Sequence, residues 1–208
     1  TASLAVLALA SCQPQDPDPL PEVYITDSLT VSPKQKVLVI ETTGTWCQYC
    51  PNGAQSMLMA INTFNDTINH EALIIPFASH TGDPFESSVQ TALNTAFPTT
   101  GVPNFYVQNA DAGQDIMGPI AGALVNEPKV GVNHAWLMNA TNDTIYVYPK
   151  VQFFEDSKDA QYYVQSYVLV TNIDAKEYNA GGPVINLNQV SSVPIVTTGS
   201  GAIPTKWT

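Results

Sequence analysis

Two cysteines three residues apart, behind a tryptophan and ahead of a proline, are the part of this sequence best equipped for chemistry: TGTWCQYCPNG, Thr43 to Gly53. A pair at this spacing serves as a working dithiol, a structural disulfide or half of a metal site. For a dithiol the reacting species is the thiolate, so whatever lowers its pKa matters most. Pro51 onward reads as helix to about Asn65, which places Cys47 beside a helix N-terminus whose partial positive charge stabilises a thiolate. Cys50 lies deeper, positioned to attack a mixed disulfide formed at Cys47. A structural zinc takes about four ligands. With no second CxxC, only scattered histidines and acids remain to complete one, and no metal is expected.

Several elements must deliver these residues. KVLVIETT (36–43) is a short apolar run of β-branched residues, the pattern of a buried strand, and it ends at the motif. In the following helix Met57, Leu58, Ile61 and Phe64 predict the face that covers a sheet. ALIIPFAS (72–79) reads as a second buried strand. Asp83 as N-cap, Pro84 at the first position and Glu86 at the third predict another helix. TTGVPNFYVQ (99–108) reads as a turn feeding a strand, and GPIAGALVNE (118–127) as a short helix ended by Pro128. This alternation predicts an α/β domain over 34–128 with at least part of its sheet parallel. In such sheets the useful crevice lies beyond the carboxyl ends of the strands. His80 falls there beside the CxxC, as a base, a ligand or simply a polar loop residue. His70 and His134 have no such placement.

After Pro128 the pattern changes. VGVNHAWLMN, TIYVYPKVQFF and YYVQSYVLVTNI alternate like strands and are separated by polar turns. Residues 129–208 are therefore expected to be β-sandwich-like, Ig-like material. Three or four strands are fewer than such a sandwich needs, so it is expected to continue past Thr208.

The 208 residues carry a formal net charge of −11, with 18 acids against 7 bases, and every base is lysine. Nucleic-acid binding relies on basic patches, with arginine the favoured base-reading side chain, so that partner class is excluded. At the other end of the chain, ASLAVLALASC is too short to span a bilayer. It reads as the remnant of a signal-peptide apolar core over 1–11. LASC, Leu9 to Cys12, resembles a bacterial lipobox, which implies lipid on Cys12 and a membrane partner reached through that anchor. The Pro- and Asp-rich residues 12–33 then form a tether. Three cysteines would leave one unpaired in an exported protein. If Cys12 carries lipid, Cys47 and Cys50 remain, in a compartment where a disulfide persists.

The strand-WCxxC-helix arrangement resembles the thioredoxin superfamily. That resemblance implies a buried proton-relay carboxylate at Glu41, six residues before Cys47. It also implies a cis-proline at Pro103 beside the dithiol, with Trp46 among the catalytic motif residues and substrate contacts at Val102 and Tyr49. The intervening pair Gln48-Tyr49 is uncharged and bulky and no lysine follows Cys50, so local thiolate stabilisation is expected to be modest. More finely, VLVIETTGTWCQYCPNGAQSM followed by FASHTGDPF resembles the outer-membrane-protein-twenty-eight-related lipoproteins of the Bacteroidota. The likeness implies an α/β thioredoxin-like domain before a β-sandwich, on a lipid-anchored, surface-exposed outer-membrane protein. Two functions follow as expectations. One is a thiol–disulfide oxidoreductase acting on exported proteins, with no cofactor beyond the disulfide. The other is an adhesion or assembly lipoprotein whose CxxC is a structural staple and whose β region binds a surface partner.

Overall fold

The structure, a computed structural model, describes residues 28–66, 68, 71–156 and 161–169. Cys12, His70 and most of the proposed tether lie outside them. The described chain runs β1 (Val37–Thr43), α1 (Cys50–Phe64), β2 (Ile74–His80), α2 (Gln90–Ala96), β3 (Asn104–Val107), β4 (Ala110–Gly113), α3 (Met117–Leu124), β5 (Val130–Met138) and β6 (Ile145–Phe153). The first seven elements build a mixed sheet in the order β2-β1-β3-β4, and β5-β6 form a separate two-stranded sheet.

β1 is central because it has a neighbour on both sides. β2 pairs with it in parallel, Thr43 opposite His80, and β3 pairs antiparallel, Glu41 opposite Phe105. Successive side chains of a strand point to opposite faces. Val37, Val39 and Glu41 therefore share one face, and the first two enter the core. That core joins Val37, Val39, Ile74, Phe105 and Val107 of the sheet to Met57 and Ala60 of α1 and to Ile116 and Ile120 at α3. Burying each large apolar side chain contributes roughly 1.5–3 kcal/mol.

The structure departs from the sequence reading at three points and adds one element that reading lacked. The buried stripe of α1 is Cys50, Gly53, Met57 and Ala60, with Ile61 and Phe64 packed alongside, while Leu58 turns outward at 42% exposure. Adjacent helical residues diverge by about 100°, so Met57 and Leu58 cannot share a face. Second, α2 starts at Gln90 rather than at Asp83. The capping signals around Asp83 close a single turn instead. The Glu86 amide donates to the Asp83 carbonyl at 3.1 Å, and the Glu86 carboxylate accepts from the Gly82 amide at 2.6 Å. Third, Ala110–Gly113 forms a strand that its composition conceals, since Ala, Asp and Gly are poor strand formers. It pairs with β3 through a turn at Gln108, which adopts φ 55°. Fourth, residues 161–169 of the expected third β-region strand form no strand among the described residues. Their Tyr167 ring packs edge-on against Phe77 at 5.4 Å.

The β5-β6 hairpin is regular, pairing nine residues on each side from Val130↔Phe153 to Met138↔Ile145. The chain before β1 lies against it. Val31 is buried, and the carbonyl of Thr30 accepts from the Asn133 side chain at 2.7 Å. At the far end of α1, Asn65 Oδ1 accepts from the amides of Leu73 and Ile74, both at 2.9 Å. One side chain thus ties the end of the helix to the start of β2.

Candidate functional site

The motif sits where β1 stops and α1 begins, beyond the carboxyl ends of the two parallel strands. Cys47 and Cys50 form a disulfide, with Cys50 the first residue of α1 and Pro51 inside its first turn. Proline is tolerated there because the first amides of a helix lack intrahelical acceptors. No acid lies in that turn, so nothing local cancels the positive end of the 15-residue helix dipole. Cys50 is the deeper sulfur, 1% exposed against 5% for Cys47. Tyr49 is 57% exposed and stands at the surface.

The Val102–Pro103 peptide is cis. It brings the Val102 carbonyl oxygen to 3.7 Å from Cys47 Sγ, across 55 residues of sequence. Pro103 and Glu41 together reach α1 at Gly53. A Cβ on that glycine would fall 2.5 Å from Glu41 Oε1 and 2.8 Å from the Pro103 Cβ. The absence of a side chain at Gly53 therefore gives the Glu41 carboxyl its room, one turn into the helix that Cys50 begins.

Glu41 is 3% exposed, and its Oε1 has no hydrogen-bond partner among the described residues. Gly53 of α1 and Pro103 close over it. Burial penalises the charged form and pushes its pKa up from 4.5 to about 8, only partly opposed by a hydrogen bond with the Thr43 side chain. The carboxyl is thus held protonated at neutral pH and poised to release its proton slightly above it.

The segment leading into Cys47 is bound to the loop after β2. The Thr81 amide donates to the Thr43 carbonyl at 3.0 Å, and Trp46 Nε1 donates to the Thr81 carbonyl at 2.7 Å. Trp46 remains 44% exposed, with its indole over Gly44 and Gly82, where a Cβ would meet Nε1 at 2.7 and 3.3 Å. Beside it opens a cleft of about 320 Å³ lined by Thr42, Trp46, Thr81, Asn94, Gly101 and Val102 among others, with no charged side chain.

His80 is brought to the motif's end of the sheet, but its neighbour there is Asp83. The Nδ1 of His80 lies 2.7 Å from Asp83 Oδ2, and the imidazole packs edge-on against Phe85 at 5.3 Å. Asp83 is the residue that sequence reasoning placed in the wrong role. Read as a helix cap, it instead accepts the Thr45 amide on Oδ2 at 2.7 Å and the Phe85 amide on Oδ1 at 2.8 Å. Burial raises its pKa, but the hydrogen bond from His80 and those from the Thr45 and Phe85 amides outweigh it and hold the carboxyl below its usual value. The His-x-x-Asp spacing was a visible signal for this pair. The third partner, Thr45, lies 38 residues earlier. His134 sits on β5, away from the motif.

The sequence matches no protein-family model and no curated protein. Among solved structures, HBP35 of Porphyromonas gingivalis is similar, with a TM-score of 0.51 and 20% identity over 60% of this chain and 44% of that one. This chain thus corresponds to less than half of that protein's length. The likeness is one of fold, and it is consistent with a thioredoxin-like arrangement of the α/β unit.

Proposed function

We propose that this protein is a lipid-anchored, exported thiol–disulfide protein built on a thioredoxin-like domain, with Cys47 as nucleophile and Cys50 as resolving thiol. The observation that carries this reading is Glu41. A carboxyl buried in the central strand, unpaired at Oε1 and poised to titrate near pH 8, is costly. A structural disulfide has no use for it, whereas a dithiol needs a proton carrier. In the reducing direction the Cys47 thiolate attacks a substrate disulfide, forming a mixed disulfide and expelling one substrate thiolate. In molecules whose Glu41 is ionised, a fraction that grows as pH approaches about 8, Cys50 then gives its proton to that carboxylate, directly or through a water. Its thiolate attacks Cys47 Sγ, closing the disulfide and releasing the second substrate thiolate. Running backward, Glu41 returns the proton to the departing Cys50. The uncharged cleft beside Trp46 and the backbone at Val102 supply the surface along which an extended exported polypeptide would lie.

The lipobox-like LASC supports an anchor on Cys12, and through that anchor an outer-membrane, surface-exposed placement. Radiolabelled palmitate should enter the wild-type protein and not Cys12→Ser. A second reading draws on the β5-β6 hairpin, which leaves Val132, Trp136 and Met138 at 51%, 60% and 44% exposure. In that reading the hairpin binds a surface partner and the CxxC is a staple. Insulin reduction separates the two: Cys47→Ser should abolish it, and activity indifferent to that substitution would rule the oxidoreductase out. A reduction potential below about −300 mV would likewise mark the disulfide as structural.

A further inference from the structure

The loop after β2 touches the dithiol motif at three points, and the one made by a charged side chain is not needed to build the sheet. Thr81 completes the strand pairing and Trp46 closes onto it through backbone carbonyls. Asp83 adds something different. Its side chain is fully buried, and it accepts three donors on two oxygens: the Phe85 amide, the Thr45 amide and His80. An asparagine would satisfy Phe85 equally well, since that bond closes a local turn at separation two. A carboxylate suits the site because Thr45 and His80 both converge on Oδ2: an amide nitrogen there would face the Thr45 N–H, and His80 could meet it only by changing tautomer.

Thr45 is fully buried and belongs to the turn that presents the nucleophile, which closes when the Cys47 amide donates to the Gly44 carbonyl at 3.0 Å. The Cys47–Cys50 disulfide ties this turn to the first residue of α1. With two free thiols, Cys47 is no longer bonded to the helix and the turn has room to relax. A charged acceptor fixed from outside opposes that relaxation, and its own position is fixed by the His80 ring, packed against Phe85 at the end of β2.

We propose that Asp83, held by His80, is a positioning residue for the dithiol, which favours the disulfide form by locking the Gly44–Cys47 turn through the Thr45 amide. This deepens the thiol–disulfide reading and rests on it. The role is thermodynamic: contacts stronger in the oxidised than in the reduced protein shift the equilibrium between them, whereas contacts equal in both change stability alone.

The test is equilibration of the full chain with reduced and oxidised glutathione, in which two glutathione thiols are oxidised as the Cys47–Cys50 disulfide is reduced. Asp83→Asn should move the equilibrium constant toward the dithiol about tenfold, the measure of one hydrogen bond to a charged group, or ~30 mV for this two-electron couple. His80→Phe keeps a ring against Phe85 but removes the donor, and should shift it in the same direction by at least threefold. His80→Asn restores an N–H the same number of bonds from Cα as Nδ1 and should lie within about twofold of wild type. The doubly substituted Asp83→Asn, His80→Phe protein should shift less than the product of the two single changes, because the residues act as one unit. A constant altered less than threefold in folded Asp83→Asn, with both redox forms losing stability equally, overturns the proposal. Should Asp83→Asn not fold, the His80→Phe and His80→Asn pair decides in the same way. The measurement needs no enzymatic turnover, so it can fail while insulin reduction still depends on Cys47, and the reverse result would strike the functional reading instead.

Discussion

Replacing Glu41 by glutamine tests the buried carboxyl directly. In the folded protein this group titrates at about 8 rather than its ordinary 4.5. Below about pH 4.5 both folded and unfolded chains hold the proton, and the carboxyl adds no pH dependence. Between 4.5 and 8 the unfolded chain releases the proton while the folded chain retains it, so the unfolded state binds fewer protons and stability falls as pH rises. Each pH unit costs about 1.4 kcal/mol. By pH 7 the loss is about 3 kcal/mol, and above pH 8 it levels off near 5 kcal/mol. Against a typical total of roughly 5–15 kcal/mol, this is a large fraction. Glu41→Gln keeps the side-chain shape and cannot titrate. Any cost of burying its amide is independent of pH and appears as a constant offset. Urea unfolding of both proteins in the oxidised form, where neither cysteine titrates, should therefore show the stability of the variant gaining on wild type. The expected gain is about 1.4 kcal/mol per unit from pH 5 to 8, roughly 4 kcal/mol in all. Other titrating groups are common to both proteins and cancel in the difference. Parallel pH profiles would show that the carboxyl is not held protonated by burial, and the proton-carrier argument would fall with it.

Gly53→Ala gains about 1 kcal/mol of helix propensity but drives a Cβ to 2.5 Å from Glu41 Oε1 and 2.8 Å from Pro103. Overpacking of about 1–3 kcal/mol should outweigh the gain, and a higher urea midpoint than wild type would contradict this. Asn65→Ala leaves the amides of Leu73 and Ile74 without their acceptor. A loss of about 1–2 kcal/mol is expected, accompanied by faster hydrogen exchange at Ile74. Exchange unchanged there would mean that the tie between α1 and β2 contributes nothing.

What could be read from the sequence was local and periodic. The β-branched run of β1, the proline after Cys50 and the three-residue cysteine spacing determine strand, helix start and motif within one short stretch, because each signal acts over a few bonds. Alternation along β1 likewise puts Glu41 on the face of Val37 and Val39. Whether that face meets solvent or a helix is not local: Gly53 and cis Pro103 close over the carboxyl, and the pKa near 8 exists only once they do. The direction of β3, the pairing of Ala110–Gly113 and the outward turn of Leu58 were also decided by packing against distant neighbours. Asp83 shows the division most sharply. Its sequence neighbours suit a helix cap, and a turn with those same bonds does form. The helix itself begins only at Gln90, and the Asp83 carboxylate gathers three donors instead of one. Two of those donors, His80 and Phe85, lie within three residues, and the third is the amide of Thr45, supplied only when β1 and β2 align in parallel.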